Sequence, residues 1–410
     1  MFLVKRDNSN KIYIIKGLIT ALFLSSFIYL AYFNIEDKII NTIFGLISLY
    51  LLLKIERKAL FFTGFFVGIL WFYWIGISFQ YYDLSYLSPL IIIAIGLCYA
   101  VLFYLIALFD HPIFRIFVIS LLSFINPFGF NWFIPELIFI NSYFPTSKEY
   151  FVLLLALVYL FINLNNKLKI LALIPLFFIY ENNGILIDNP KINIAMPQLS
   201  VSQDLKWIKK SRNIIIENNL KLIDKAIEEK KDLIILPETV FPVLLNKENF
   251  LYSILEEKSK KIDIVAGALY LENKQYYNAS YHFSKARIKI AKKIVLVPFG
   301  EEIPLPKFFV DLINDTFYNG AQDYKKANNP TDFLINGIKF RNAICYEATS
   351  EEIYQNLNGI EYMIAISNNA WFTPSIEPIL QKFLLKYYAK KYNITILHSI
   401  NGSPNYIIRP

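Results

Sequence analysis

Hydrophobic and polar positions divide the chain into two textures. As far as residue 181, long apolar runs are separated by short polar connections. From Lys191 onward, short apolar runs alternate with charged stretches. Crossing a bilayer takes roughly 20 apolar residues in a helix. Runs that reach or approach this length lie at Gly17–Phe33, Ile39–Leu53, Ala59–Tyr82, Tyr86–Phe109, Phe117–Phe130, Tyr150–Asn163 and Ile170–Tyr180, the last three being short. The pattern predicts a transmembrane domain of about seven helices over residues 1–181. A linker over 182–190 follows, marked by Gly184 and Pro190, and then a folded aqueous domain over 191–410.

In the second texture, Ile192–Met196 reads as a strand and Ser202–Lys231 as one amphipathic helix whose apolar positions are Leu205, Ile208, Ile215, Leu222 and Ile223. "DLIILP" is a strand, Lys247–Lys260 a helix and "DIVAGALY" a strand. "YYNASYHF" and "RIKIAKKIVLV" suit a hairpin. "IKFRNAIC" and "EYMIAIS" are strands on either side of a helical Glu347–Asn358, and the helix Glu377–Tyr392 precedes a last strand, "NITILHSI". Such alternation predicts a layered α/β domain with a buried sheet. The chain has no internal repeat and no low-complexity tract.

Charge sharpens the division. Of the charged residues, 22 fall in positions 1–190 and 52 in 191–410. The whole chain is 55% hydrophobic and only 18% charged, too apolar for an ordinary aqueous domain. Lys and Arg collect before the first run (Lys5, Arg6, Lys11, Lys16), after the second (Lys54, Arg57, Lys58), after the fourth (Arg115) and after the sixth (Lys167, Lys169). The intervening loops are poor in them, so the positive-inside rule places the N-terminus in the cytoplasm and the aqueous domain on the opposite side. No small-residue cleavage pattern follows Phe33, which predicts an uncleaved first helix rather than a signal peptide. The net charge of +8 reads as solvated helix surface. No basic, aromatic-interleaved motif supports nucleic-acid binding.

Candidate chemistry lies in the second half. Cys98 falls in a predicted span and Cys345 in the aqueous domain, so the two should not pair. Cys345 ends an apolar run, where a buried inert thiol is the plain alternative to a nucleophile. "LIILPETVFP" presents Glu238 just past a strand, at the rim of a sheet where sites form in α/β folds. "AKKIVLVPFGEEIP" offers Lys292, Lys293, Glu301 and Glu302. Solvent-facing turns would account for each fragment taken alone. Of three histidines, His111 belongs to a cytoplasmic loop, and nothing around His282 or His398 marks a catalytic dyad with Cys345. There is no phosphate-binding Gly-rich loop, no Gly-x-Ser-x-Gly elbow and no metal-spaced cluster, so neither metal nor cofactor is expected.

Read in order, Glu, Lys and Cys at three strand ends resemble the nitrilase (carbon–nitrogen hydrolase) superfamily. The membrane half makes the chain similar to that superfamily's apolipoprotein N-acyltransferase family. "LPETVFP" resembles the family's Pro-Glu segment, and "KKIVLVPFGEEIPL" its Lys-x-x-Leu-Val-Pro-Phe-Gly-Glu signature, which selects Lys293, five residues before Pro298. "AICYE" and "ISNNAWF" resemble its nucleophile strand and the strand that follows, and "NPFGFNW" a Gly-Phe-x-Trp stretch late in the membrane half. "DLKW" puts Trp207 where the family has a functional tryptophan.

The implied fold is a polytopic α-helical membrane domain followed by a nitrilase-like αββα sandwich. The implied catalytic residues are Glu238 as base, Lys293 as oxyanion stabiliser and Cys345 as nucleophile, supported by Glu301, Tyr346, Glu347 and Trp207. As base, Glu238 would need its pKa raised toward neutrality by burial. The implied reaction moves an acyl chain from the sn-1 position of a membrane phospholipid, through a Cys345 thioester, to the N-terminal amine of a diacylglyceryl-modified apolipoprotein. The implied place is the bacterial inner membrane, catalytic domain on the periplasmic side, with a monomer expected. A membrane-tethered amidase or nitrilase acting on a small substrate shares the same trio, and a catalytically dead sandwich serving as a receptor is a further alternative. Ile303–Gly320, apolar for an external loop, is read either as an arm that gates substrate entry or as a packed surface loop.

Three features depart from the family pattern. The chain ends at Pro410, soon after Asn401-Gly402, where the family continues into further β-structure and a closing membrane helix. Asn369 and Thr373 stand in "SNNAWFT" where the family has Asp and Gly, and Gln381 and Lys382 stand near a usual histidine. These bear on substrate preference and efficiency more than on reaction class.

Overall fold

The computed structural model describes residues 7–108, 111–181, 189–308, 310–311 and 323–410. Packing divides the chain into two units. The first contains residues 1–127, 131–183 and 374–387, and the second 128–130, 184–373 and 388–410. The units are therefore not the two contiguous halves that the texture suggests. The linker at 182–190 lies largely outside the described residues, as does most of the Ile303–Gly320 loop.

In the first unit the helices are α1 (Asp7–Tyr32), α2 (Lys38–Lys54), α3 (Arg57–Phe72), α4 (Ser88–Ile106), α5 (Pro112–Leu121), α6 (Lys148–Asn163) and α7 (Lys169–Leu173). Among the described residues four stretches are long and apolar enough to cross a membrane: Asn10–Tyr32, Arg57–Tyr82, Ser85–Ile106 and Pro112–Gly129. With 17 and 16 residues, α2 and α6 fall short of that length. The seventh predicted run breaks into the five residues of α7 and a 3-10 turn at Ile174–Phe177.

The helices are apolar on both faces. α1 buries Ala21, Leu24, Phe27 and Ile28 and exposes Ile12, Ile15, Ile19 and Leu22, as suits a helix between protein and lipid. A Cβ on Gly64 of α3 would stand 2.2 Å from the Tyr99 carbonyl of α4, so these two backbones meet as closely as glycine permits. Polar groups tie the helices where water is excluded. Trp71 Nε1 donates to Ser25 Oγ at 3.1 Å, and the Tyr29 hydroxyl donates to the Leu70 carbonyl at 2.8 Å. Arg115 Nη1 takes up the Leu53 and Ile55 carbonyls at the end of α2, at 3.0 and 2.7 Å.

The second unit carries two mixed sheets. One runs β1 (Ile194–Ala195), β2 (Leu233–Ile235), β4 (Asp263–Glu272), β5 (Gln275–Ser284), β6 (Arg287–Lys292), with β3 (Phe241–Leu244) also paired to β4. The other runs β11 (Tyr406–Ile408), β10 (Thr395–Asn401), β9 (Tyr362–Asn368), β8 (Ile338–Ile344), β7 (Asp332–Ile335). β1, β2 and β4 are parallel, as are β8, β9 and β10, while β5, β6, β7 and β11 pair antiparallel.

Period-2 alternation sends successive side chains to opposite faces. Leu233 and Ile235 of β2 join Val265, Phe333, Phe340, Ile344, Ile364, Ile366 and Leu397 in a core between the sheets. Ile234 and Leu236 face the other way, into a core with Ile223 of α9 (Lys209–Glu228, after the short α8, Gln203–Lys206) and Leu251 and Leu255 of α10 (Asn249–Lys258). The last helix, α11, spans Glu377–Tyr392.

Several expectations are corrected. The helix expected over 202–231 breaks at Ile208, whose extended backbone (ψ 121°) separates α8 from α9. Its amphipathic face is also misread: Leu205 and Ile208 are exposed, whereas Ile215 and Ile223 are buried. The helix expected at Glu347–Asn358 is two 3-10 turns, Cys345–Thr349 and Glu351–Tyr354, parted by an extended Ser350. The strands β3, β7 and β11 are additional, so β-structure does continue past Asn401-Gly402.

One glycine fixes a junction that the site depends on. A Cβ at Gly267 of β4 would lie 2.6 Å from Glu238 Cα and Thr239 N and 2.8 Å from the Pro237 carbonyl, all of them backbone. Gly267→Ala is expected to destabilise the full-length protein by about 1–3 kcal/mol, read as a lower melting temperature in detergent. An unchanged melting temperature would show that the Pro237–Thr239 segment yields.

Candidate active site

Three strand ends bring the candidate residues toward one place. Glu238 lies three residues past β2, only 7% exposed, and the next residue, Thr239, holds a left-handed backbone (φ +46°). Lys293 follows β6 and is fully buried. Consecutive residues at a strand end point oppositely. Lys292 accordingly turns outward, ion-paired with Glu272 at 2.6 Å and over the rings of Tyr270 and Tyr277, while Lys293 turns inward. Lys293 Nζ pairs with Glu301 Oε2 at 2.7 Å. The neighbouring Glu302 lies 3.7 Å from Lys326 instead.

Asn278 of β5 joins the two carboxylates. Its Nδ2 donates to Glu238 Oε1 at 2.7 Å and to Glu301 Oε1 at 2.9 Å, while its main-chain carbonyl accepts from the Lys293 N–H at 3.0 Å. Glu301 Oε2 also accepts from the Val297 N–H at 2.9 Å. Burial disfavours the Lys293 ammonium, but Glu301, Glu238 and the Cys345 sulfur outweigh it and hold the lysine above its ordinary value. This ammonium therefore stays charged at physiological pH.

Cys345 is the first residue of the turn after β8, half-buried, with φ +54°. Left-handed backbone at a non-glycine residue is strained and persists only where its surroundings hold it. Glu347 holds it. One of its carboxylate oxygens accepts from the Ile344 N–H at 2.7 Å, and the other accepts from Ile294 and Val295 at 2.8 and 3.4 Å. A single side chain thus ties the Cys345 turn to the segment after Lys293. Burial raises the Glu347 carboxyl to about 7, against the opposing pull of Lys293 and these backbone donors.

Tyr346 is buried, its ring stacked on Phe130 at 5.9 Å and its hydroxyl donating to the Gly129 carbonyl at 3.2 Å. The structure thus gathers Glu238, Lys293 and Glu301 directly and couples Cys345 to Lys293. Trp207 sits at the break between α8 and α9, 45% exposed, and the structure brings Lys206 rather than Trp207 against the Glu238 segment. Sequence reasoning passed over Lys206 and Asn278.

The histidines serve the sheets. His398 is buried, drawn down by burial to about 3 and hence neutral, with Nε2 2.6 Å from Ser367 Oγ. His282 pairs with Asp263 at 3.0 Å. Neither cysteine is in a disulfide, and among the described residues no His, Cys, Asp or Glu cluster could hold a metal ion.

Residues 11–182 match the apolipoprotein N-acyltransferase integral membrane domain. The chain is 45% identical over 396 residues to the apolipoprotein N-acyltransferase of Wolinella succinogenes, covering 96% of this chain and 95% of that protein. It is 41% identical over 369 residues to that of Helicobacter pylori (89% and 86% covered). With that of Campylobacter jejuni it shares 38% over 420 residues (100% and 93%). Among solved structures it resembles an amidase from Nesterenkonia sp., at 14% identity and a TM-score of 0.40, covering 55% of this chain and 86% of that one. Apolar helices joined to a two-sheet α/β unit, with such relatives, define a membrane-embedded acyltransferase. The chain belongs to the apolipoprotein N-acyltransferase family.

Glu347 gives this site a pH signature. Its folded-state pKa is raised from the ordinary carboxyl range, roughly 4.3, to about 7. The stability it contributes is therefore complete below the ordinary value and is lost as pH rises through about 7. The melting temperature of Glu347→Gln is expected to lack this downward slope. It should also be lower throughout, by about 1–3 kcal/mol of stability, because an amide nitrogen cannot accept from a backbone N–H. Parallel wild-type and mutant curves would refute the assignment.

Proposed function

We propose that this protein moves an acyl chain from the sn-1 ester of a membrane phospholipid to the N-terminal amine of a diacylglyceryl-cysteine on an apolipoprotein. The observation that carries the reading is the buried Lys293–Glu301 pair, joined through Asn278 to Glu238 and coupled to Cys345. Its support is family membership at 45% identity over nearly the whole chain. The site faces the periplasmic side of the bacterial inner membrane, where both lipid substrates lie, in keeping with the basic loops of the membrane half.

The reaction has two steps. Cys345 Sγ attacks the ester carbonyl as Glu238 takes the thiol proton, since the thiolate is the nucleophile. The resulting oxyanion is met by the Lys293 ammonium and the Tyr346 N–H, each such donor contributing about 3–4 kcal/mol. The intermediate collapses, the lysophospholipid alkoxide leaves with the proton from Glu238, and a Cys345 thioester remains. The lipoprotein α-amine then attacks the thioester and gives its proton to Glu238. The amide forms, and Cys345 leaves as thiolate and regains the proton. Glu301 holds Lys293 and Glu347 holds the turn, with Tyr346 and Trp207 as supporting residues.

Intact mass spectrometry of the full-length protein after incubation with phospholipid vesicles tests the reading. The wild type is expected to gain one acyl chain, and Cys345→Ala none. Glu238→Gln should slow acylation by about 10²–10⁴-fold. No adduct from any bilayer lipid, together with hydrolysis of small amides, would replace this reading with the tethered hydrolase.

A further inference from the structure

The segment that carries Glu238 rests on a buried lysine. Lys206, on the four-residue α8, is 1% exposed. Its Nζ donates to the Thr239 hydroxyl at 3.0 Å and to the Glu238 carbonyl at 3.3 Å. It also stands 3.2 Å from the side-chain amide of Asn368 at the end of β9. Among the described residues Lys206 forms no ion pair, in contrast to Lys293 with Glu301. Burying an ammonium against neutral acceptors is costly, and side chains kept in such places cluster at functional sites.

The local fold goes to some length to keep it there. α8 is inside out: Gln203 and Lys206 are buried while Leu205, Trp207 and Ile208 are exposed. Amides fasten the stretch before it to the strand ends. Asn401 exchanges two 2.8 Å bonds with the Val201 backbone, and Asn368 links Gln203 and Asn401, again at 2.8 Å. The lysine is thus held from the β9–β10 edge and reaches across to the Glu238–Thr239 backbone.

We propose that Lys206 is a positioning residue for the base of this site. Its ammonium pins the Glu238–Thr239 backbone in its left-handed turn and so fixes where the Glu238 carboxylate stands to receive the Cys345 proton. The proposal rests on Glu238 being that base. It gives the two buried ammoniums different tasks: Lys293 pairs with the Glu301 carboxylate, and Lys206 holds the Glu238–Thr239 segment.

A pH dependence follows. Burial pulls Lys206 down to about 8, against the upward pull of Glu238. Among the described residues Glu238 is the one ionisable group acting on it; Thr239 from the same segment, Asn368 from β9 and Gln203 from its own helix are uncharged, and Asp204 is exposed. Lys206 is therefore charged below about pH 8 and loses its charge above it.

The test is the single-turnover rate of Cys345 acylation by phospholipid vesicles, followed by intact mass on the full-length protein from about pH 6 to about pH 10. The wild-type rate is expected to fall above about pH 8. Lys206→Met should acylate about ten- to a hundredfold more slowly below that pH, the scale of a displaced catalytic group, and should lose the fall itself. Lys206→Arg, which stays charged, should keep its rate above pH 8. A Lys206→Met protein with wild-type rate and profile would overturn the proposal. If Lys206→Met does not fold, Lys206→Arg decides, and a wild-type fall near pH 8 in that variant would equally overturn it. Absence of any acyl adduct on the wild type would instead refute the acyltransferase reading beneath it.

Discussion

The candidate site depends on one carboxylate that does no chemistry. Glu347 gives its two oxygens to backbone N–H groups on two segments far apart in sequence, Ile344 just ahead of Cys345 and Ile294–Val295 just past Lys293. Covalent continuity links neither segment to the other. The clamp makes the spacing between the Cys345 turn and the Lys293 ammonium a property of hydrogen bonds, which are short and directional, rather than of core packing alone. It also supplies a force that holds Cys345 in a backbone region its side chain disfavours.

Around this clamp, the charges are arranged by pairs. Asn278 places one amide nitrogen between Glu238 and Glu301, so two carboxylates share a donor without sharing a proton. Lys293 neutralises one of them at contact distance. A buried group of this kind tolerates few changes of charge, because an uncompensated ion in a low-dielectric interior costs several kcal/mol. The strand geometry enforces the selection: Lys292 and Lys293 are adjacent in sequence and chemically identical, and the pleat alone sends one to Glu272 outside and the other to Glu301 inside.

Much of this was legible in the chain. Apolar runs marked the membrane helices, and strand ends marked where Glu238, Lys293 and Cys345 would stand. What escaped reading was polar and buried. Asn278, Ser280 and His282 alternate with apolar neighbours along β5, a pattern that does not say which face is wet, and all three are buried. Lys206 was hidden by a four-residue helix whose apolar side chains face outward, the reverse of the rule used to orient it. Periodicity reports which side chains alternate, not which side water occupies. Nor could a local pattern reveal that Glu347 would bind backbone on another segment and so replace an expected helix with 3-10 turns.

Residues 128–130 belong by packing to the second unit, with Phe130 stacked on Tyr346, whereas 374–387 belong to the first. Neither unit is therefore a contiguous stretch of chain. Cutting at the compositional boundary would strip the aqueous half of the ring stacked on Tyr346, and would strip the membrane half of most of a helix. The two halves are not interchangeable cassettes: gene-level recombination that swaps one between relatives must carry the small reciprocal segments with it, so the halves are constrained to diverge together.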